Sequence, residues 1–194
     1  MAKRNPSRRR KKRAPQKKSL PGWMIFLGAG LIILGVAAMI ALPQEAPEEY
    51  SSVPVPVEYP APELTLENLQ GETESLADYR GQVVLVNLWA TWCPPCKAEL
   101  PVLQSYYEDH VVEGFSIIGI NFGESHDEVD AFIKTTDLTY PIWIDIESAS
   151  GLAFNSFSLP SSFVIDRTGT VRLAWTGAIS QKMLEKHLTP IIAE

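Results

Sequence analysis

Two cysteines occur in the 194 residues, Cys93 and Cys96, within Trp92-Cys93-Pro94-Pro95-Cys96. A C-x-x-C pair can serve as half of a zinc site, as a structural disulfide or as a redox dithiol. A structural zinc needs four protein ligands. No second cysteine pair exists, and His110, His126 and His187 are scattered through the chain. A structural disulfide across this short spacing would close a tiny loop and constrain the unfolded chain little. The redox dithiol is the reading with a physical reason behind it: the pair follows an apolar run and opens a helical stretch.

That placement assigns different work to the two sulfurs. A thiolate, not a thiol, attacks a disulfide. At a helix N-cap, Cys93 faces free backbone N–H groups and the positive end of the helix dipole, which lower its pKa. It is expected to be the exposed nucleophile, and Cys96, one turn inside, to resolve the mixed disulfide. Pro94 at the first helical position sacrifices no hydrogen bond. Pro95 at the second removes an N–H that could otherwise stabilise the Cys93 thiolate. The expectation is a comparatively reducing pair that needs no metal or organic cofactor.

The flanking residues read as alternating strands and helices. Short strands are predicted over 65–69 and 73–75 as a hairpin, then a strand buried on both faces over 83–88 (VVLVNL). The active-site helix runs to about residue 108. A second buried strand covers 115–120, and Ser125 with Glu128 has capping-box spacing for a helix to about residue 136. A short strand at 141–144, a hairpin of 162–166 with 171–175, and one amphipathic helix capped by Ser180 complete the pattern. This implies a mixed α/β sandwich with helices on both faces. Trp89, Trp143 and Trp175 are expected in the core, Trp92 on the substrate surface, and Lys97, Glu99 and His126 in solvent. Gly119 is read as a backbone-permissive position.

The run VVLVNLWATWCPPCKAELP (83–101) resembles the membrane-tethered thiol–disulfide oxidoreductases of the TlpA/ResA type, which have the thioredoxin fold and are related to AhpC/TSA proteins. The likeness extends over 61–194 and includes an N-terminal hairpin. It implies a thioredoxin-like three-layer sandwich with a mixed central sheet and a hairpin extension. Pro101 matches a proline in the active-site helix. Pro160, in LPSSFVID (159–166), matches the family's cis-proline, so Leu159 and Pro160 join Trp92, Pro94 and Pro95 as implied substrate contacts. Ser161 stands where the family more often has threonine. Asn87 occupies the place of the buried aspartate of general thioredoxins; it cannot titrate, so another acid must serve or none does. Glu124 falls where the resemblance implies an active-site glutamate, acting as acid/base for Cys96.

The N-terminal third carries a separate signal. Of 17 basic residues ten lie in residues 1–22, which hold none of the 23 acids, so the net charge of −6 conceals a strong asymmetry. Residues 23–42 (WMIFLGAGLIILGVAAMIAL) are 20 uncharged residues, ~30 Å as helix, enough to cross a bilayer. An uncleaved single-pass anchor is expected, with the basic segment cytoplasmic and the rest extracytoplasmic. The basic run contains no aromatic residue and abuts the apolar span, so topology and anionic lipid explain it without nucleic acid. Residues 43–62 hold six of the 15 prolines and four acids and read as an extended linker. Residues 63–194 form the expected redox domain.

The expected function is an extracytoplasmic thiol–disulfide oxidoreductase acting on disulfide-containing proteins. The resemblance suggests apocytochrome c during cytochrome c maturation as substrate, with re-reduction by a transmembrane thiol electron donor. A peroxiredoxin would need a P-x-x-x-T-x-x-C setting, and here Thr91 lies two residues before Cys93 with no matching proline. A non-catalytic binding module with a silent disulfide is the remaining alternative.

Overall fold

The computed structural model describes residues 52–194. The basic segment 1–22, the apolar run 23–42 and the first part of the linker lie outside the described residues. Among those described, no helix is long and apolar enough to cross a membrane.

The domain begins earlier than the linker reading places it. Val55–Pro60 (β1) pairs antiparallel with the last strand of the sheet instead of standing free. Prolines 54, 56 and 60 argue for a detached segment. An edge strand, however, needs ladder hydrogen bonds on only one side and so tolerates them. Val57 and Tyr59 are half-buried against the sheet's core, and that contact holds the strand down.

Thr65–Asn68 (β2) and Thr73–Ser75 (β3) form the expected hairpin, followed by a 3-10 turn over Leu76–Tyr79. Val83–Trp89 (β4) is buried at every position. Its side chains alternate between two cores: Val83, Leu85 and Trp89 on one face, Val84, Val86 and Leu88 on the other. Each apolar side chain so buried contributes about 1.5–3 kcal/mol of transfer free energy. Asn87 is the one polar residue in this strand.

Pro94–His110 (α1) returns the chain to Phe115–Phe122 (β5), parallel to β4. His126–Ile133 (α2) leads to Ile142–Asp145 (β6), parallel to β5. Ala149–Ala153 (α3) is a short helix absent from the sequence expectation. Asp145 builds it by accepting the N–H groups of Ala149 and Ser150, at 2.8 Å each. Ser161–Ile165 (β7) and Thr170–Thr176 (β8) form the expected hairpin. Gln181–His187 (α4) and Thr189–Ile192 (α5) replace the single predicted C-terminal helix. Pro190 has no N–H to continue the α4 ladder, so the chain restarts there.

The sheet order is β1-β8-β7-β4-β5-β6-β2-β3, with β4, β5 and β6 parallel and the remaining pairs antiparallel. Buried residues of α1, α2, α4 and α5 pack on one face. The 3-10 turn and α3 cover the other. The layers are therefore three, as expected, but unequal. The C-terminal ends of β4 and β5 open directly into the segments carrying Cys93 and Glu124, so both lie at one end of the sheet.

Candidate active site

Cys93 and Cys96 are joined in a disulfide, with Cα atoms 5.3 Å apart. Cys93 is the N-cap of α1, its backbone extended (φ −92°, ψ 105°), with Pro94 and Pro95 opening the helix. Its Sγ accepts the Cys96 N–H at 3.3 Å. The expectation of an exposed Cys93 needs correction for this oxidised state, because Cys93 is 4% exposed and Cys96 not at all. Each sulfur is covered by the other, and the Cys93 sulfur lies against the helix N-terminus. What is exposed is the rim, since Trp92, Pro94 and Pro95 face solvent.

The Leu159–Pro160 peptide bond is cis. Leu159 is half-buried and Pro160 buried. The Pro160 carbonyl accepts the Gly177 N–H at 2.8 Å, which ties this loop to the turn after β8. Phe157, missed in the sequence reading, is an exposed aromatic three residues before Pro160, with its ring 6.2 Å from that of Phe122.

Glu124 is buried, and its carboxylate makes no hydrogen bond to either sulfur. Oε2 accepts the Thr91 N–H at 2.6 Å and the Asn121 Nδ2 at 2.8 Å, and Oε1 accepts the Thr91 hydroxyl. Through these bonds β5 holds the turn that delivers Cys93.

Glu99 is the residue the sequence reading misplaces. Expected in solvent, it is 1% exposed. It sits three residues beyond Cys96, on the same side of α1, and faces the sheet. Oε1 accepts the Asn87 Nδ2 at 2.8 Å, and Oε2 accepts the Ile179 N–H at 2.9 Å. Asn87 also donates to the Ser162 hydroxyl at 2.9 Å. Burial drives the Glu99 carboxyl up to about 7, opposed by the hydrogen bonds from Asn87 and Ile179. Tyr140 is buried on the same side, and its hydroxyl is pushed well above the ordinary tyrosine range by burial and then by the Glu99 charge. A buried titratable carboxyl on the facing helix thus meets the Asn87 side chain. The i, i+3 spacing from Cys96 was a usable signal, but nothing in the local sequence says that this turn of α1 faces inward.

Lys97 is exposed, as expected, and so is His126, whose Nε2 lies 2.7 Å from the Leu69 carbonyl oxygen. Trp89, Trp143 and Trp175 are buried. Gly119 is not a flexible position. A Cβ there would lie 2.9 Å from Ile142 Cδ1 and 3.0 Å from Tyr140 Cε2, so glycine is required by packing beside Asn87.

A parallel β4–α1–β5 unit with a dithiol at the helix start, and a cis-proline loop entering an antiparallel hairpin, define a thioredoxin-like protein. Residues 57–174 match the AhpC/TSA family, and the chain belongs to it. Over 131 residues the chain is 37% identical to thiol-disulfide oxidoreductase ResA of Geobacillus kaustophilus, covering 68% of this chain and 75% of that protein. It is 32% identical over 131 residues to ResA of Bacillus subtilis, covering 68% and 73%. Among solved structures it is similar to a thiol:disulfide interchange protein of Chlorobium tepidum, with TM-score 0.62 and 28% identity over 70% of this chain and 97% of the other. Within the family it is a thiol–disulfide oxidoreductase, and its redox group is the cysteine pair.

Proposed function

We propose that this protein is a membrane-tethered reductant of disulfides in extracytoplasmic partner proteins. The observation that carries the chemistry is the Cys93–Cys96 disulfide at the N-terminus of α1, with the buried Glu99 carboxyl one helical turn inside. The apolar run 23–42, preceded by ten basic residues, supports the tether and its orientation.

In the reduced protein the Cys93 thiolate attacks one sulfur of a substrate disulfide. A Cys93–substrate disulfide forms and the other substrate sulfur leaves as a thiolate that takes up a proton. Cys96 then attacks the Cys93 sulfur, and the second substrate sulfur departs as a thiolate that takes up a proton from water. Two electrons pass to the substrate, and the protein is left in the oxidised state described here. A donor dithiol restores it by the reverse steps. Cys96 must lose its proton to attack. Glu99, with a carboxyl near neutrality, takes that proton and returns it on re-reduction. Glu124 acts on geometry by fixing Thr91 and hence the approach to Cys93. Trp92, Pro94, Pro95, Leu159 and Pro160 are the proposed contacts of the substrate chain, as the family resemblance implies. Apocytochrome c is the proposed substrate and a transmembrane thiol carrier the proposed donor; the likeness to ResA-type proteins supports this setting.

The test is trapping. Cys96→Ala is expected to hold Cys93 in a stable mixed disulfide with its natural partner, identified by mass spectrometry. Trapped proteins lacking c-type apocytochromes would remove the maturation role and leave the oxidoreductase reading. No trapped protein at all would favour a silent disulfide.

A further inference from the structure

The chain enters the domain against the turn that follows β8. β1 pairs Val55 with Ala174 and Pro60 with Thr170, so its first residue lies near the end of β8 that leads into the turn at 177–179. Just ahead of β1, Ser52 grips that turn. Its N–H donates to the Ala178 carbonyl at 3.0 Å. Its hydroxyl lies 3.1 Å from the Gly177 carbonyl oxygen and 3.2 Å from that of Ala178. The approach is close enough that a Cβ on Gly177, which has φ +100°, would lie 3.5 Å from the Ser52 Cβ.

The same three-residue turn reaches the site in two directions. The Gly177 N–H donates to the Pro160 carbonyl at 2.8 Å, and the Ile179 N–H to Glu99 Oε2 at 2.9 Å. One serine ahead of the first strand is therefore two links from the buried carboxyl and two links from the proline loop.

We propose that Ser52 is a positioning residue for the disulfide-exchange reaction: by pinning the 177–179 turn it keeps the Glu99 carboxyl covered and the Pro160 loop in place. This rests on the reading of Glu99 as the acid–base group. The groups facing Glu99 are Asn87 from β4, Ile179 from the turn, Tyr140 ahead of β6, and Cys96 on its own helix. None carries a positive charge. Burial is therefore what holds the carboxyl near neutrality, and the cover supplied by the turn maintains that burial. When the turn lifts, water replaces the Ile179 N–H and the burial is relieved, so the carboxyl falls toward its ordinary value.

The experiment measures the rate at which Cys96 resolves a Cys93 mixed disulfide, from pH 5 to 9, using the full-length chain in detergent. Ser52→Pro removes both the N–H and the hydroxyl, whereas Ser52→Thr keeps both. The expected result is a midpoint lower by about half a pH unit or more in Ser52→Pro, with faster amide hydrogen exchange in a peptide spanning 177–180. Ser52→Thr is expected to match the wild type. In a Glu99→Gln background, Ser52→Pro is expected to produce no further shift. A midpoint unchanged by Ser52→Pro but moved by Glu99→Gln overturns the positioning role and leaves the acid–base reading intact. A lowered melting temperature with an unchanged midpoint overturns it equally. A midpoint unmoved by Glu99→Gln removes the acid–base reading and this inference with it.

Discussion

At the scale of single residues, the site depends on where one carboxyl sits. Glu99 is ordinary in sequence, flanked by Ala98 and Leu100 on a helix that also carries the exposed Lys97. In the proposed mechanism burial gives it its role, because burial pushes the carboxyl up to about 7, where a proton can be both accepted and released. The same burial has a stability consequence. The folded-state pKa lies above the ordinary value of 4.5. Below that value the group is protonated in both states and contributes its full stability. As pH rises toward 7 the unfolded chain ionises first, and stability is lost. The shift corresponds to about 3 kcal/mol between pH 4.5 and pH 8. Glu99→Gln, which removes the titrating group and keeps one of the two acceptor oxygens that face Asn87 and Ile179, is expected to flatten this dependence in urea unfolding of the oxidised protein. A retained fall in stability would assign the pH dependence to other groups.

Pro95 is a second residue-scale determinant. The Cys93 sulfur accepts one backbone N–H, that of Cys96, and the second helical position offers none. Pro95→Gly restores that donor. It is expected to stabilise the thiolate and make the potential less negative by about 30 mV, the equivalent of one charge-assisted hydrogen bond in a two-electron couple. Equilibration with glutathione buffers reads the shift directly; a potential equal to or more negative than wild type contradicts the argument.

At the scale of elements, most of the sheet was legible and its margins were not. The strands at 83–89 and 115–122 announce themselves by unbroken apolar runs, and Ser125 with Glu128 marks a helix start that the structure realises, with the Ser125 N–H donating to Glu128 at 2.9 Å. β1 stayed hidden because its prolines speak for extended, unpaired chain. Only the open edge of β8 makes a strand of it. α3 stayed hidden because five residues leave no helical period to detect, and its N-terminus is built by Asp145 from the preceding strand. The packing of β5 against β6 is tight at Gly119. Gly119→Ala forces a methyl into Ile142 and Tyr140 and is expected to cost about 1–3 kcal/mol in chemical denaturation, as overpacking does. A loss under half a kcal/mol would show that these side chains can move aside.

At the scale of the whole molecule, charge and apolar runs divide the sequence into a basic segment, an apolar run and an acidic remainder, to which the proposed tether assigns separate tasks. The full-length protein is expected to sediment with membranes and to resist extraction by high salt. A chain beginning at residue 43 is expected to stay in solution and keep its exchange activity. Release of the full-length protein by salt alone would contradict an apolar anchor.

What the sequence determined by itself is what depends on composition, spacing and local periodicity. That includes the two cysteines as one pair at a helix start, the central strands, the hairpins, the resemblance to thioredoxin-like oxidoreductases, and the expectation of an N-terminal span. The tertiary structure decided which side chains have solvent taken from them. It made Glu99 the buried acid and gave Glu124 the task of holding Thr91. It turned the end of the linker into an edge strand and set Ser52 against the turn that hydrogen-bonds Glu99 and Pro160. The reason is that burial belongs to the arrangement of distant segments. The contacts of Glu99 come from residues 87 and 179, and no local window of the chain contains both.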